Sequence, residues 1–339
     1  MSEVSVGAQI AKTRSATRVD WADLAKGFSI SLVVLLHTVN FMVVRGLADA
    51  WWYSVNAAVE PIRMPLFFLV AGLFASGGVA LSWKSFWRRR IAPLLYLYLL
   101  WMFVRFAVFS MFPQISGTQE TSTALNLLTG FVVPSSGLWF LFALMVYATV
   151  ARACRNIDPR VQVAGAVLVG ALGPLLMVDL SWTWTKIFSY GLFFMMGLHL
   201  SGLVSGIAEA TTTLWAILWP VGFAAIYFAS TVTGPIGVPL LVSIVGVITG
   251  VVLCARFQHR LIAVPLRRLG ALTLPIYLLH EIVLGTAITG ATALDIDVRL
   301  GGAGPVVVTL VAITISVVIS RTIGNRVSLF QLPRTWRAS

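Results

Sequence analysis

Ten apolar stretches, each near the length needed to cross a bilayer, constrain the fold of this 339-residue chain. The hydrocarbon core is about 30 Å thick and a helix rises about 1.5 Å per residue, so roughly 20 apolar residues span it. The chain is 58% hydrophobic and only 11% charged, whereas a soluble domain carries about 25% charged residues. The sequence therefore predicts an all-α polytopic membrane protein, built as a single bundle of about ten transmembrane helices.

The apolar stretches leave no room for a separate soluble domain. The sequence predicts a basic cytoplasmic tail over residues 1–22, a transmembrane domain over 23–325 and a cytoplasmic C-terminal tail over 326–339. The first of these segments lacks the apolar core of a cleavable signal peptide. The second apolar stretch is expected to begin at Met64.

The distribution of Lys and Arg predicts how the bundle is oriented. Most of the 24 basic residues fall in alternate connections, in the clusters 12–26, 84–90, 152–160, 256–268 and 321–337. Arg45, Arg63, Lys186 and Arg299 are assigned to the opposite side, and Arg105 falls within the third stretch. Because cytoplasmic loops carry an excess of Lys and Arg, both termini are expected in the cytoplasm. The net charge of +12 is spread over many loops, which indicates membrane topology and no nucleic-acid partner.

The first apolar stretch, DLAKGFSISLVVLLHTVN, carries a polar stripe. His37 follows Lys26 by eleven residues, which is close to three full turns, so both side chains share one face about 16 Å apart along the axis. Asp23 and Asn40 fall within roughly 60° of His37, and the opposite face is apolar. A titratable ring near the bilayer midplane is costly toward lipid, so this stripe is expected to face the bundle interior or a wet cavity.

The ninth stretch carries a second histidine at a similar depth. His280 lies eleven residues after Leu269, which again places it about 16 Å from the cytoplasmic surface. Each histidine has a structural alternative, a core imidazole that is hydrogen-bonded to a neighbouring helix. The matched depth and the attached lysine stripe favour a functional role for His37 more than for His280.

Five segments then occur in a fixed order along the chain. They are RVDWADLAKGFSISLVVLLH, RMPLFFLVAGLF, WRRRIAPLLYLYLLW, GLWFLFALMVY and LGALTLPIYLLHEIVL. Together they resemble the membrane-bound acyltransferase family 3, and the resemblance runs from Arg18 to about the tenth stretch. It implies an O-acyltransferase that takes an acyl group, commonly acetyl, from cytoplasmic acyl-CoA. The acyl group then passes to a sugar hydroxyl on the other side of the membrane.

The family's first-helix signature is a basic residue, ten intervening residues and an essential histidine. The resemblance maps this signature onto Lys26 and His37, with lysine where many members have arginine. Lysine keeps the charge but loses the bidentate fork of arginine. The run Arg88–Arg90 does not reproduce the Arg-x-x-Arg pair that often enters the third helix, and Arg63 stands where many relatives have histidine.

The residues and the resemblance together give a set of expected site residues. The catalytic set is His37 and His280, and the acyl-CoA-binding set is Lys26, Arg88, Arg89 and Arg90. The substrate-binding set is Asp23, Asn40, Arg63, Arg105, Trp139 and Glu281. Acyl-CoA (acetyl-CoA) is expected as a donor substrate, with no permanently bound cofactor and no metal. The other expected partners are an extracytoplasmic carbohydrate or glycolipid acceptor and the lipid bilayer, and the expected location is a bacterial plasma membrane.

General chemistry suits this assignment, but other functions fit parts of the pattern. A neutral imidazole can act as general base toward a sugar hydroxyl, and clustered cations can attract the polyanionic donor. Trp51, Trp52 and Trp139 are placed to stack on sugar rings, or they form an ordinary interfacial belt. A proton-coupled transporter or flippase would also use midplane histidines, but would not depend on acyl-CoA. A purely structural membrane subunit leaves the stripe of Lys26 and His37 unexplained.

Overall fold

A computed structural model describes residues 20–112, 124–134, 137–177, 181–233, 238–296, 301–324 and 329–332. The described residues are almost entirely helical and contain no strand. Ten apolar helices follow one another: α1 Asp20–Val44, α2 Trp51–Leu73, α3 Trp83–Met111, α4 Trp139–Ala153, α5 Pro159–Met177, α6 Trp182–His199, α7 Thr213–Thr233, α8 Val238–Phe257, α9 Thr273–Ala293 and α10 Gly304–Ile323.

Eight of these helices are long and apolar enough to cross a bilayer on their own. The helix α6 qualifies together with the short helix Ser201–Glu209, from which it is bent by 79°, and α4 is a shorter apolar helix of 15 residues. The predicted all-α polytopic architecture is therefore confirmed.

The helix α2 begins well before the expected position. It starts at Trp51 rather than Met64, and it includes Pro61 and Pro65. The prediction of its start was wrong because Asn56, Glu60 and Arg63 interrupt the apolar run in the sequence. In the folded bundle two of these side chains, Asn56 and Arg63, are buried, so they face protein rather than lipid.

One end of the bundle carries the basic connections and is called here the basic end. Lys26 near the start of α1 and the run Arg88–Arg90 near the start of α3 lie there. The run sits in a π-helical turn, Trp87–Ile91, a distortion that occurs frequently at functional sites. The placement of both termini in the cytoplasm stays a prediction, as does the orientation of this end toward the cytoplasm.

The helices α1 and α2 lie at the centre of the bundle. The helix α1 packs against α2, α8, α9 and α10, and against the short helix Ala263–Gly270. The helix α2 also packs against α6 and α8. A polar side chain on the inner face of either helix is therefore surrounded by protein.

Glycines allow these central helices to approach closely near the basic end. A Cβ added at Gly72 of α2 would lie 2.1 Å from the carbonyl oxygen of Phe194, and one added at Gly197 of α6 would lie 2.0 Å from that of Leu69. Small residues at a crossing let two helix backbones touch and gain van der Waals contact inside a membrane.

The described part of the predicted C-terminal tail packs against the bundle. The indole Nε1 of Trp101 in α3 donates to the carbonyl oxygen of Leu329 at 2.8 Å, and its ring stacks on Phe330. Leu332 is buried. Residues 329–332 therefore belong to the packed structure rather than to a free tail.

We expect Gly72→Ala and Gly222→Ala to have opposite effects on stability. The first places a methyl group against a backbone oxygen, and overpacking of this kind costs about 1–3 kcal/mol. Gly222 of α7 has no atom within 4 Å of an added Cβ, so alanine there gains up to about 1 kcal/mol from helix propensity. Thermal unfolding of the purified variants measures both effects. Equal melting temperatures would contradict the assigned crossing of α2 and α6.

Candidate active site

A cavity of about 370 Å³ lies among the helices α1, α2, α4, α6 and α9. Its polar lining comprises His37, Asn40, Glu60, Arg63, Lys186, Tyr190, Tyr277 and Glu281, and its aromatic lining includes Phe67, Trp139, Phe140 and Trp182. Five of the residues expected from the sequence meet here, namely His37, Asn40, Arg63, Trp139 and Glu281. The remaining expected residues lie outside this cavity.

The polar groups at the base of the cavity form a chain across three helices. His37 Nδ1 of α1 lies 3.4 Å from Glu281 Oε1 of α9. The other carboxylate oxygen, Oε2, accepts a hydrogen bond from Arg105 Nη2 of α3 at 2.5 Å. The side chain of His37 is 23% exposed and lines the cavity, whereas Arg105 is 1% exposed and lies behind the carboxylate. A substrate in the cavity can therefore reach the imidazole, whereas Arg105 is out of its reach.

The guanidinium of Arg105 is confined on its other sides. It lies over the ring of Phe109, with Cζ 5.0 Å from the ring centroid. A Cβ added at Gly137, just before α4, would lie 2.2 Å from Arg105 Nη2, so only glycine leaves room for the guanidinium there. The expected contact between Arg105 and an acceptor is not favoured by this placement, because its partner is Glu281.

His280 lies behind His37 rather than in the cavity. Its ring is fully buried and packs edge-on against that of His37, with centroids 4.9 Å apart. Its Nδ1 lies 2.7 Å from the carbonyl oxygen of Tyr277 and 3.1 Å from that of Ile276, so this nitrogen carries the proton and donates. The remaining nitrogen, Nε2, has no hydrogen-bond partner among the described residues. The two histidines that the sequence placed at one depth are thus in direct contact.

His37, His280 and Glu281 are also the group best arranged to hold a metal ion in the described chain. One potential ligand atom from each lies within 4.8 Å of the others, and the carbonyl bond at Nδ1 of His280 is typical of a metal-binding histidine. The carboxylate of Glu281 is already paired with the guanidinium of Arg105, and this positive charge opposes the binding of a metal cation. The arrangement fits an imidazole–carboxylate pair better than a metal centre.

A second ion pair on the cavity wall was not expected from the sequence. Lys186 Nζ of α6 donates to Glu60 Oε1 of α2, and Tyr190 donates to the same oxygen at 3.3 Å. The sequence assigns Lys186 only to the side of the bundle opposite the basic clusters and predicts no partner for it. The i, i+4 spacing of Lys186 and Tyr190 on one helix face was the signal that could have indicated the cluster.

Aromatic rings also line the cavity. Phe140 of α4 stacks on Phe67, with ring centroids 4.6 Å apart, and the ring centroids of Trp139 and Tyr190 are 5.9 Å apart. Trp51 and Trp52 stack on each other, with ring centroids 4.6 Å apart, and do not line the cavity. Both were also considered for sugar stacking from the sequence. Only Trp139 of the three tryptophans considered in the sequence is therefore near His37.

The expected acyl-CoA-binding cations lie toward the basic end. Lys26 Nζ pairs with Asp23 Oδ1 at 2.7 Å and lies over the ring of Phe74, so Asp23 is placed beside the lysine and away from the cavity of His37. Arg88 and Arg89 line a separate cavity of about 540 Å³, together with Phe330 and Leu332 and residues of α3 and α9.

Arg90 is placed apart from the other two arginines of its run. Its side chain packs against Gly78, in the connection that follows α2. Lys26 contacts the start of the same connection at Phe74, so Lys26 and Arg90 both meet this connection, whereas Arg88 and Arg89 line the separate cavity.

Comparisons with known proteins identify the family. A family model described as "Acyltransferase domain" matches residues 19–323. The nodulation protein NolL of Mesorhizobium japonicum is 32% identical over 130 residues, which are 37% of this chain and 32% of that protein. The match thus spans under a third of the length of this curated relative. No solved structure matches the chain.

The matched residues extend over nearly all of the sequence and include every helix that lines the cavity. The chain therefore belongs to this family of acyltransferase domains, which confirms both the resemblance and the predicted class of enzyme.

Proposed function

We propose that the protein is a membrane O-acyltransferase that moves an acyl group, commonly acetyl, from acyl-CoA to a hydroxyl of a sugar or glycolipid. The observation that carries this proposal is the cavity-facing imidazole of His37, whose Nδ1 lies against the buried carboxylate of Glu281. An imidazole that faces a cavity and has a carboxylate beside one ring nitrogen is placed as a general base is, and a small approach of the two groups would complete their hydrogen bond.

In the proposed reaction His37 activates the acceptor. With Nδ1 protonated and directed at Glu281, Nε2 carries the lone pair and takes the proton from the acceptor hydroxyl. The acceptor oxygen then forms a bond to the thioester carbonyl carbon. When the tetrahedral intermediate collapses, the carbon–sulfur bond breaks, and the imidazolium returns its proton to the departing CoA thiolate. The carboxylate of Glu281 stabilises the imidazolium between these two steps.

Arg105 and His280 serve as positioning residues in this proposal. Arg105 holds the carboxylate in place, because its Nη2 donates a charge-assisted hydrogen bond to Oε2 of Glu281. His280 packs against the face of the imidazole that does not meet the acceptor, and its own hydrogen bonds to α9 fix the ring. Neither side chain lines the cavity, so neither needs to touch the substrate.

The donor is proposed to arrive from the basic end. Lys26 lies eleven residues before His37 on one continuous helix, a separation of about 16 Å. An extended pantetheine arm covers a distance of this order, so phosphates near Lys26 would place the thioester near the imidazole. Arg88 and Arg89 line the cavity at that end and add positive charge for a polyanionic donor.

The acceptor is proposed to occupy the cavity beside His37. Trp139 offers a ring face for a sugar, and Asn40, Tyr190 and Lys186 offer hydrogen-bonding groups around it. Under this proposal the basic end faces the cytoplasm of a bacterial cell, both termini are cytoplasmic, and the acceptor enters from outside the plasma membrane. A transporter would use the same buried polar cluster, but family membership and the imidazole–carboxylate pair favour acyl transfer.

We expect His37→Gln to lower acyl transfer by roughly 10²- to 10⁴-fold, because glutamine cannot accept the proton. Acyl-CoA binding should be retained, and His280→Gln should lower the rate less. His199→Gln is the matched control, since His199 bonds to Gln162 outside the cavity. Turnover of acetyl-CoA by the purified variants measures the effect. Near wild-type turnover in His37→Gln would contradict the assignment and favour the transporter alternative.

The buried pair of Arg105 and Glu281 predicts a non-additive pattern of stability. Arg105→Met alone leaves a buried carboxylate unpaired and should cost about 3–5 kcal/mol. Arg105→Met combined with Glu281→Leu removes both charges and should recover much of that loss. Thermal unfolding of the two single variants and the double variant measures the coupling. If the double variant is the least stable of the three, the pair does not hold α3 and α9 together.

Lys26→Ala should weaken acyl-CoA binding about tenfold, because one charge-assisted contact is lost, whereas Lys26→Arg should largely preserve it. Equilibrium binding of CoA to the purified protein measures both changes. Arg256→Gln is a control of equal charge change, since Arg256 bonds to Thr213 on α7. Unchanged CoA affinity after Lys26 and Arg88–Arg90 are all neutralised would contradict entry at the basic end.

A further inference from the structure

Arg63 on α2 is a buried cation that forms no ion pair with another side chain in the part of the chain that the structure describes. Its side chain lines the cavity of His37, and the residue is only 4% exposed. Within the described residues it forms no ion pair, and its Nε and Nη1 atoms are buried with no hydrogen-bond acceptor. Burial of an unpaired charge costs free energy, because the charge loses its contact with water. A guanidinium stays charged at any pH at which a protein works, so Arg63 cannot avoid this desolvation cost by losing a proton.

The other charged side chains in or beside the cavity form ion pairs with one another. Arg105 is bonded to Glu281, and Lys186 is bonded to Glu60. Among the described residues, three cations and two carboxylates therefore lie in or beside the cavity, and one positive charge is left over. Glu60 lies one turn from Arg63 on α2 and acts on its charge, but the carboxylate is already bonded by Lys186 and Tyr190. The excess charge therefore resides at Arg63.

From this excess we infer that the acceptor carries an anionic group, a carboxylate or a phosphate, which binds Arg63 while the reacting hydroxyl lies at His37. The inference rests on the proposed function, since it names the class of acceptor that occupies the same cavity. A ligand anion would supply the hydrogen-bond acceptors that Nε and Nη1 lack. Carboxylates and phosphates match the planar, multiple donors of a guanidinium better than a neutral hydroxyl does.

Two anions could pair with Arg63, namely an anionic group of the bound acceptor and the negative oxygen of the tetrahedral intermediate, and the first fits the site better. The tetrahedral intermediate of acyl transfer also carries a negative oxygen, and a guanidinium can stabilise such a charge. That charge exists only during reaction, whereas the desolvation of Arg63 persists whenever the cavity is filled. The acceptor anion relieves this cost for as long as the acceptor is bound.

The test compares two glycosides that share the ring hydroxyls at C2, C3 and C4 and differ at C6, where one carries a hydroxyl and the other a carboxylate, so transfer to the shared ring hydroxyls is compared. Methyl β-D-glucoside and methyl β-D-glucuronide are supplied with acetyl-CoA to the purified full-length protein, and kcat/KM is measured for each. Wild-type protein should favour the glucuronide by roughly 10- to 100-fold, the effect of one charge-assisted contact. Glucose 1-phosphate is the third substrate, and it shows whether phosphate replaces carboxylate as the anion.

Variants at two positions should shift this selectivity in opposite directions. Arg63→Gln should abolish the preference for the glucuronide, and Arg63→Lys should restore part of it. Glu60→Gln removes a negative charge that acts on Arg63 and also frees Lys186 from its ion pair, so it should raise the preference. Arg256→Gln makes the same charge change as Arg63→Gln outside the cavity and should leave the selectivity unchanged. A purely structural role for Arg63 would not produce shifts of opposite sign.

A binding measurement separates this inference from the proposed reaction. Quenching of tryptophan fluorescence, with Trp139 and Trp182 on the cavity wall, reports glycoside binding without acyl-CoA. Glucuronide binding that depends on Arg63 supports the inference even if no transfer occurs. Equal use of both glycosides by wild-type protein would overturn it and leave acyl transfer intact. An equal fall in kcat for both glycosides in Arg63→Gln, with binding unchanged, would also overturn it and assign Arg63 to the intermediate.

Discussion

The bond between Arg105 and Glu281 is the interaction on which the rest of the site depends. Both side chains are almost fully buried in a bundle whose surroundings are hydrocarbon, so neither charge is stable without the other. The pair joins α3 to α9, and the second carboxylate oxygen lies beside His37 of α1. Because Arg105, Glu281 and His37 must meet at one depth in the bundle, the pair fixes the positions of α1, α3 and α9 along the bundle axis relative to one another.

The depth of residues along single helices could be predicted from the sequence alone. His37 and His280 were placed at one level by counting from Lys26 and Leu269, and their rings are in contact. The count holds for α1, which runs without a break from Lys26 to His37, so the rise per residue fixes the depth of the histidine. Leu269 lies on the short helix Ala263–Gly270, and α9 begins only at Thr273, so the count to His280 crosses a break between two helices. The polar stripe of α1 likewise predicted an inward face, and Asn40 and His37 line one cavity.

Lateral pairing between helices could not be predicted in the same way. Glu281 was expected to contact substrate, but which cation it meets depends on how α3 packs beside α9, and Arg105 lies 176 residues away. The ion pair of Lys186 and Glu60 could not be predicted either, for a related reason. Hydropathy treats a charge as the end of an apolar run, whereas in the bundle these two charges satisfy each other within the span of α2 and α6.

The contrast between the two halves of the bundle suggests why transfer should have a direction. Near the basic end, glycines bring backbones together, with Gly27 of α1 against Leu266 and Gly72 of α2 against Phe194. Toward the other end, the large side chains of Trp139 and Trp182 hold the helices apart around the cavity. Arg88 and Arg89 line the cavity near the basic end, whose positive charge suits a polyanionic donor, whereas Trp139 and Trp182 line the cavity of His37, where their rings suit a sugar. Under the proposed function the two substrates therefore meet at His37 from opposite ends of the bundle.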